Sequence, residues 1–106
     1  MTDASVFTRA ARASDIAPGG FGHVVVAGHD LLICNVAGSF QAIENRCSHL
    51  GMPLDRGRLA RGVIFCPFHG ASFDVRTGAS IGFPKCRSIR LFETRVTGDD
   101  VEVALP

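Results

Sequence analysis

Four side chains in two short boxes are the part of this sequence best suited to chemistry. Box one reads Cys47-Ser48-His49-Leu50-Gly51 and box two reads Cys66-Pro67-Phe68-His69-Gly70. The ligand pattern is therefore C-x-H, 16 residues, then C-x-x-H. Two of the four cysteines and two of the four histidines fall in these boxes. Such a set can hold zinc, or an iron–sulfur cluster of the kind in which two His replace two Cys on one iron. Structural zinc knuckles usually leave about two to four residues between ligands and commonly pair like with like. Box one leaves a single residue, and each box pairs a thiol with an imidazole. In the iron–sulfur alternative, Cys47 and Cys66 would bind the inner iron and His49 and His69 the outer one. That arrangement needs two similar loops side by side.

The rest of the chain must supply those loops. Its 106 residues suit one domain, 1–106, with a modest core and a cluster-binding subdomain at about 45–85. Apolar residues make up 46%, enough to fold, and every aromatic residue is Phe. The net charge of +1 argues against a general nucleic-acid binder. The charge is unevenly placed, however. Residues 46–90 hold eight basic and two acidic residues, a net of +6, and the remainder nets −5. That split suggests a basic collar around the boxes, with salt-sensitive encounters. No apolar run approaches the ~18 residues of a membrane helix. The first residues show neither the basic nor the apolar region of a signal peptide. A cytoplasmic protein with no membrane association is expected. In that compartment cysteines stay reduced, so Cys/His boxes point to metal and not to disulfides.

Short β-branched and alternating runs set the fold class. Strands are predicted at Val6–Ala10, His23–Ala27, Leu31–Val36, Ser39–Ile43, Val63–Phe65, Ala71–Val75 and Val101–Leu105. Gly28-His29-Asp30 is predicted as a tight hairpin connection, and Met52–Gly62 as a loop. Ser88–Val96 alternates over nine residues and reads as one half-buried strand. No amphipathic helix of ten or more residues is apparent. The prediction is all-β, a sandwich or barrel of short antiparallel strands. Cys34, inside an apolar strand, is expected to be a buried structural thiol. Cys86 is expected to be packed or half-exposed. His23 and His29 are expected at the surface and not as ligands. Leu50, Met52, Pro53, Phe68, Phe83 and Pro84 could form an apolar docking patch at the histidine tip.

The two boxes and their surroundings resemble the Rieske ferredoxin family over most of the chain. The likeness includes Gly51 and Gly70 after the ligands, Pro67 in box two, and Phe73-Asp74…Thr77-Gly78. It also includes Pro84, in a third loop that covers the cluster in that family. The resemblance implies one [2Fe-2S] Rieske cluster held by Cys47, His49, Cys66 and His69. It further implies a carrier that is not catalytic alone. Such a carrier takes single electrons from an NAD(P)H-dependent flavin ferredoxin reductase and passes them to the terminal oxygenase of an aromatic ring-hydroxylating dioxygenase. A monomer is expected. The family's membrane-associated members carry a further Cys in each box, where Met52 and Phe68 stand here. Its high-potential members place hydroxyl donors where this chain has Ala71 and Phe73. Fewer donors to sulfur imply a potential near the low end of the Rieske range, roughly −150 mV. Three alternatives remain: the small subunit of an assimilatory nitrite reductase, a carrier for another monooxygenase or demethylase, and a zinc-held structural module.

Overall fold

The backbone resolves into eleven short strands and no α-helix in a computed structural model that describes residues 6–68, 70–82 and 85–106. His69, Phe83 and Pro84 lie outside the described residues. The strands are β1 (Val6–Arg12), β2 (Phe21–Val26), β3 (His29–Val36), β4 (Ser39–Glu44), β5 (Arg58–Ala60), β6 (Val63–Phe65), β7 (Ser72–Asp74), β8 (Ser80–Ile81), β9 (Leu91–Phe92), β10 (Thr94–Thr97) and β11 (Asp100–Leu105). They form three antiparallel sheets in the orders β1-β11-β10, β2-β3-β4-β9 and β5-β6-β7-β8. No helix among the described residues is long and apolar enough to cross a membrane.

The middle sheet is built on β3, whose Leu31–Asn35 run is buried without a break. A strand that is apolar at successive positions must be covered on both faces. The packing shows this directly. Leu31 and Ile33 join Val101, Val103, Leu105 and Phe92 in one core cluster. Leu32 and Cys34 join Cys47, Cys66, Phe73, Val75 and Ile89 in the other. β4 divides the same way, Ala42 to the first cluster and Ile43 to the second. The second cluster thus glues the β5–β8 sheet, which carries box two, to the middle sheet.

Three of the sequence expectations need correction. The hairpin between β2 and β3 turns at Ala27-Gly28 (φ 49° and 80°), leaving His29 and Asp30 inside β3, opposite Val26 and Val25. Positive φ at both central residues is the two-residue turn whose twist matches the strands. The stretch 52–62 is not all loop: β5 pairs with β6 through a turn of the same kind at Arg61-Gly62 (φ 53° and 77°). Finally, Ser88–Val96 is not one strand. Its Ile89 N–H donates to Gly78, its Arg90 carbonyl accepts from Glu44, and its Glu93 carbonyl accepts from Ala104. β9 therefore belongs to the middle sheet and β10 to the first, with the change at Glu93. Leu91 packs into one core cluster and Phe92 into the other. The alternation is real, but successive residues serve different layers.

Candidate metal centre

Each box is a tight loop, and the two loops are closed by the same bonds. In box one the Cys47 N–H donates to the Met52 carbonyl (2.7 Å), and the Gly51 N–H donates back to Cys47 (2.7 Å). In box two the Cys66 N–H donates to Ala71 (2.7 Å), and the Gly70 N–H donates back to Cys66 (3.1 Å). Both glycines sit at φ +73°, a conformation costly for residues with a Cβ. The loops differ in one respect. The histidine stands two positions after the cysteine in box one and three after it in box two.

This shared closure puts the two cysteines in matching places in their loops, Cys66 directly after β6 and Cys47 three residues after β4. Cys47 is 1% exposed and Cys66 3%. Both pack in one core cluster, close enough for Cys66 to act on the Cys47 thiol. Burial pushes the Cys47 thiol up. A hydrogen bond from the His49 backbone N–H pulls it down, the hydrogen bond and charge of Cys66 push it up again, and the Leu50 N–H pulls it down. A buried thiol such as Cys47 resists ionising unless a cation joins it, and a coordinated metal reverses that balance. The backbone N–H groups beside Cys47 are already placed to stabilise a sulfur anion. The donor chemistry therefore fits two thiolates on one iron. His49 is exposed, two residues beyond the buried Cys47. Among the described residues no three His, Cys, Asp or Glu side chains converge as a single-ion site. A two-iron cluster asks each iron for only two protein ligands, so such a trio is not required.

Around the thiols the shell is apolar. Ala71 and Phe73 are fully buried in the same cluster as Cys47 and Cys66. The nearby hydroxyl, on Ser72, donates instead to the Ile81 carbonyl (2.6 Å). Leu50 and Phe68, predicted for a docking patch, are 62% and 45% exposed. Phe83 and Pro84 of that patch lie outside the described residues.

Box one is tied to the middle sheet by Asn45, a residue that belongs to no motif. Asn45 is buried, two positions before Cys47. Its N–H donates to the Asp30 carbonyl (2.9 Å). Its side-chain oxygen accepts from the Leu54 N–H (2.7 Å), and its amide nitrogen reaches Asp30 Oδ1 (3.2 Å) and Asp55 Oδ1 (3.4 Å). The available signal was a polar residue at the end of an apolar strand. On the far side, Ser48 Oγ donates to the Arg87 carbonyl (2.5 Å), tying box one to the segment after Pro84.

The remaining candidates take structural positions. Cys34 is buried, and burial pushes its thiol from 9.0 up to about 12, so it stays protonated and unreactive. Cys86 is half-buried against the cluster of core residues that includes Cys47 and Cys66. His23 is exposed and pairs with Asp30 (2.5 Å), whereas His29 is half-buried with its ring edge-on to Phe92 (centroids 5.7 Å apart).

Comparison with known proteins agrees with this geometry. The chain is 38% identical over 98 residues to the ferredoxin component of biphenyl 2,3-dioxygenase from Rhodococcus jostii (strain RHA1), covering 92% of each. The ferredoxin of carbazole 1,9a-dioxygenase from Nocardioides aromaticivorans IC177 superposes with a TM-score of 0.87 at 33% identity, covering 93% of this chain and 97% of that one. A chain in a complex of reduced oxygenase and oxidised ferredoxin in carbazole 1,9a-dioxygenase matches with the same TM-score of 0.87 at 35% identity, covering 93% of both chains. The description "Rieske [2Fe-2S] domain" matches residues 6–93, and the chain belongs to that family.

Proposed function

We propose that this protein is the ferredoxin component of an aromatic ring-hydroxylating dioxygenase system: a carrier of single electrons, not catalytic alone. The observation that carries the reading is the side-by-side burial of Cys47 and Cys66 at the ends of two loops closed by identical bonds. The relative covering 92% of the chain is itself such a component. Cys47 and Cys66 would hold the inner iron, and His49 and His69 the outer iron. The cluster-binding subdomain spans about 45–85 within a single 1–106 domain.

When bound, the [2Fe-2S] cluster supplies a one-electron couple, which His ligation sets above that of an all-Cys cluster. The chain's own residues do the rest. The Leu54, Phe73, Val75 and Ile89 packing excludes water from the thiol side. The exposed His49 offers a route outward. The Leu50 and Phe68 side chains present a small apolar surface for brief contacts. The electron donor is an NAD(P)H-dependent flavin reductase and the acceptor a terminal oxygenase. The carrier is a cytoplasmic monomer.

Reconstitution tests this. The holoprotein, a flavin reductase and a ring-hydroxylating oxygenase are mixed, and NAD(P)H-dependent product is followed. Product formation that needs this protein, and is lost in Cys47→Ser, is expected. A cluster-loaded protein that supports no oxygenase from any such system would overturn the assignment.

A further inference from the structure

A groove of about 280 Å³ runs alongside box one, between residues 44–48 and 87–90. Two hydrogen bonds bracket it: Glu44 N–H to the Arg90 carbonyl (2.9 Å) and Ser48 Oγ to the Arg87 carbonyl (2.5 Å). It is thus preformed and fixed beside His49. Its walls carry Arg46, Arg87 and Arg90 against one acid, Glu44. All three arginines are exposed. Among the described residues none of them has a carboxylate in salt-bridge range, whereas Arg9, Arg76 and Arg95 pair with Asp100, Asp74 and Glu102. Arg46 lies over Gly51, and Arg90 stacks on Phe92 (4.6 Å). Stacking occupies the guanidinium face and holds its N–H edge in place for an anion.

We propose that this groove receives a carboxylate-bearing segment of the protein that accepts the electron. The proposal rests on the carrier reading above and adds the chemistry of the partner's surface. Three arginines lining a space of side-chain size supply guanidinium forks that match carboxylates. An extended polyanion such as nucleic acid would meet the −5 carried by the rest of the chain. Docking here would bring the partner to His49, and the local excess of positive charge would speed the encounter at low salt.

The test uses the holoprotein and a fluorescein-labelled hexaglutamate peptide, with binding followed by anisotropy at low ionic strength. Arg87→Glu and Arg90→Glu are compared with Arg12→Glu, which makes the same charge change far away on β1. Groove variants should weaken binding by about tenfold or more, and Arg12→Glu by less than about twofold. Equal losses at all three positions would overturn the proposal. So would absence of peptide binding by the wild type, or displacement of the peptide by inorganic phosphate at matched ionic strength. Iron–sulfur EPR of the same samples separates the two readings. A cluster without peptide binding sinks the groove alone, and peptide binding without a cluster sinks the carrier reading alone.

Discussion

Removing the Asn45 side chain should loosen box one more than its short side chain suggests. In Asn45→Ala the Leu54 N–H, on a fully buried residue, loses its acceptor at 2.7 Å. An unsatisfied buried donor costs about 1–3 kcal/mol. The two longer contacts, at 3.2 Å to Asp30 and 3.4 Å to Asp55, add about 0.5 kcal/mol each. The expected loss is about 2–4 kcal/mol, a large share of the roughly 5–15 kcal/mol that stabilises a domain. Guanidinium unfolding followed by circular dichroism reads the total, and visible absorbance reads the site. The two should be lost in step, because Asn45 ties box one to β3. Asn45→Asp keeps an acceptor for Leu54 but sets a third carboxylate beside Asp30 and Asp55. Its deficit against the wild type should shrink as pH falls from about 7 to 5, since protonation relieves that repulsion. A loss in Asn45→Ala below about 0.5 kcal/mol would refute the reasoning.

Three further outcomes follow from the same packing. The folded state holds the Cys34 proton to about pH 12 while the unfolded chain releases it near 9.0. Stability should therefore fall with rising pH across that window, by at most about 1.4 kcal/mol per pH unit from this group, and Cys34→Val should flatten the fall in an alkaline unfolding series. In Gly78→Ala the new Cβ would lie 2.5 Å from the Ile89 carbonyl oxygen, both main-chain features that cannot swing aside, so calorimetry should show a loss of more than about 2 kcal/mol. Phe73→Tyr places a hydroxyl in the buried shell around Cys47 and Cys66; one hydrogen bond favouring the reduced cluster should raise the midpoint by about 40 mV. A redox titration showing no rise in a folded variant would mean that this position does not face the cluster sulfur.

Much of this protein could be read from sequence because its signals were local. The β2–β3–β4 meander announced itself through β-branched runs, although its first turn falls at Ala27-Gly28 and not at Gly28–Asp30. The paired boxes announced themselves through ligand types and spacing. The all-β class followed from the same runs, and the three-sheet structure agrees with it. What escaped reading depends on long-range partners. β5 and β8 are three and two residues long, too short for any period to appear. The alternation of Ser88–Val96 was visible, but the exchange of sheets at Glu93 is set by Glu44, Gly78 and Ala104, distant in sequence. Asn45 carries little local signal, because its importance lies in Asp30, Leu54 and Asp55. The identical closure of the two loops was equally hidden, since it is written in backbone bonds and not in side chains.

The most direct test of the central claim is an EPR spectrum of the dithionite-reduced holoprotein. A brown-red protein giving a rhombic signal, lost in both Cys47→Ser and Cys66→Ser, is the predicted result. A colourless, EPR-silent protein holding one zinc ion would contradict it.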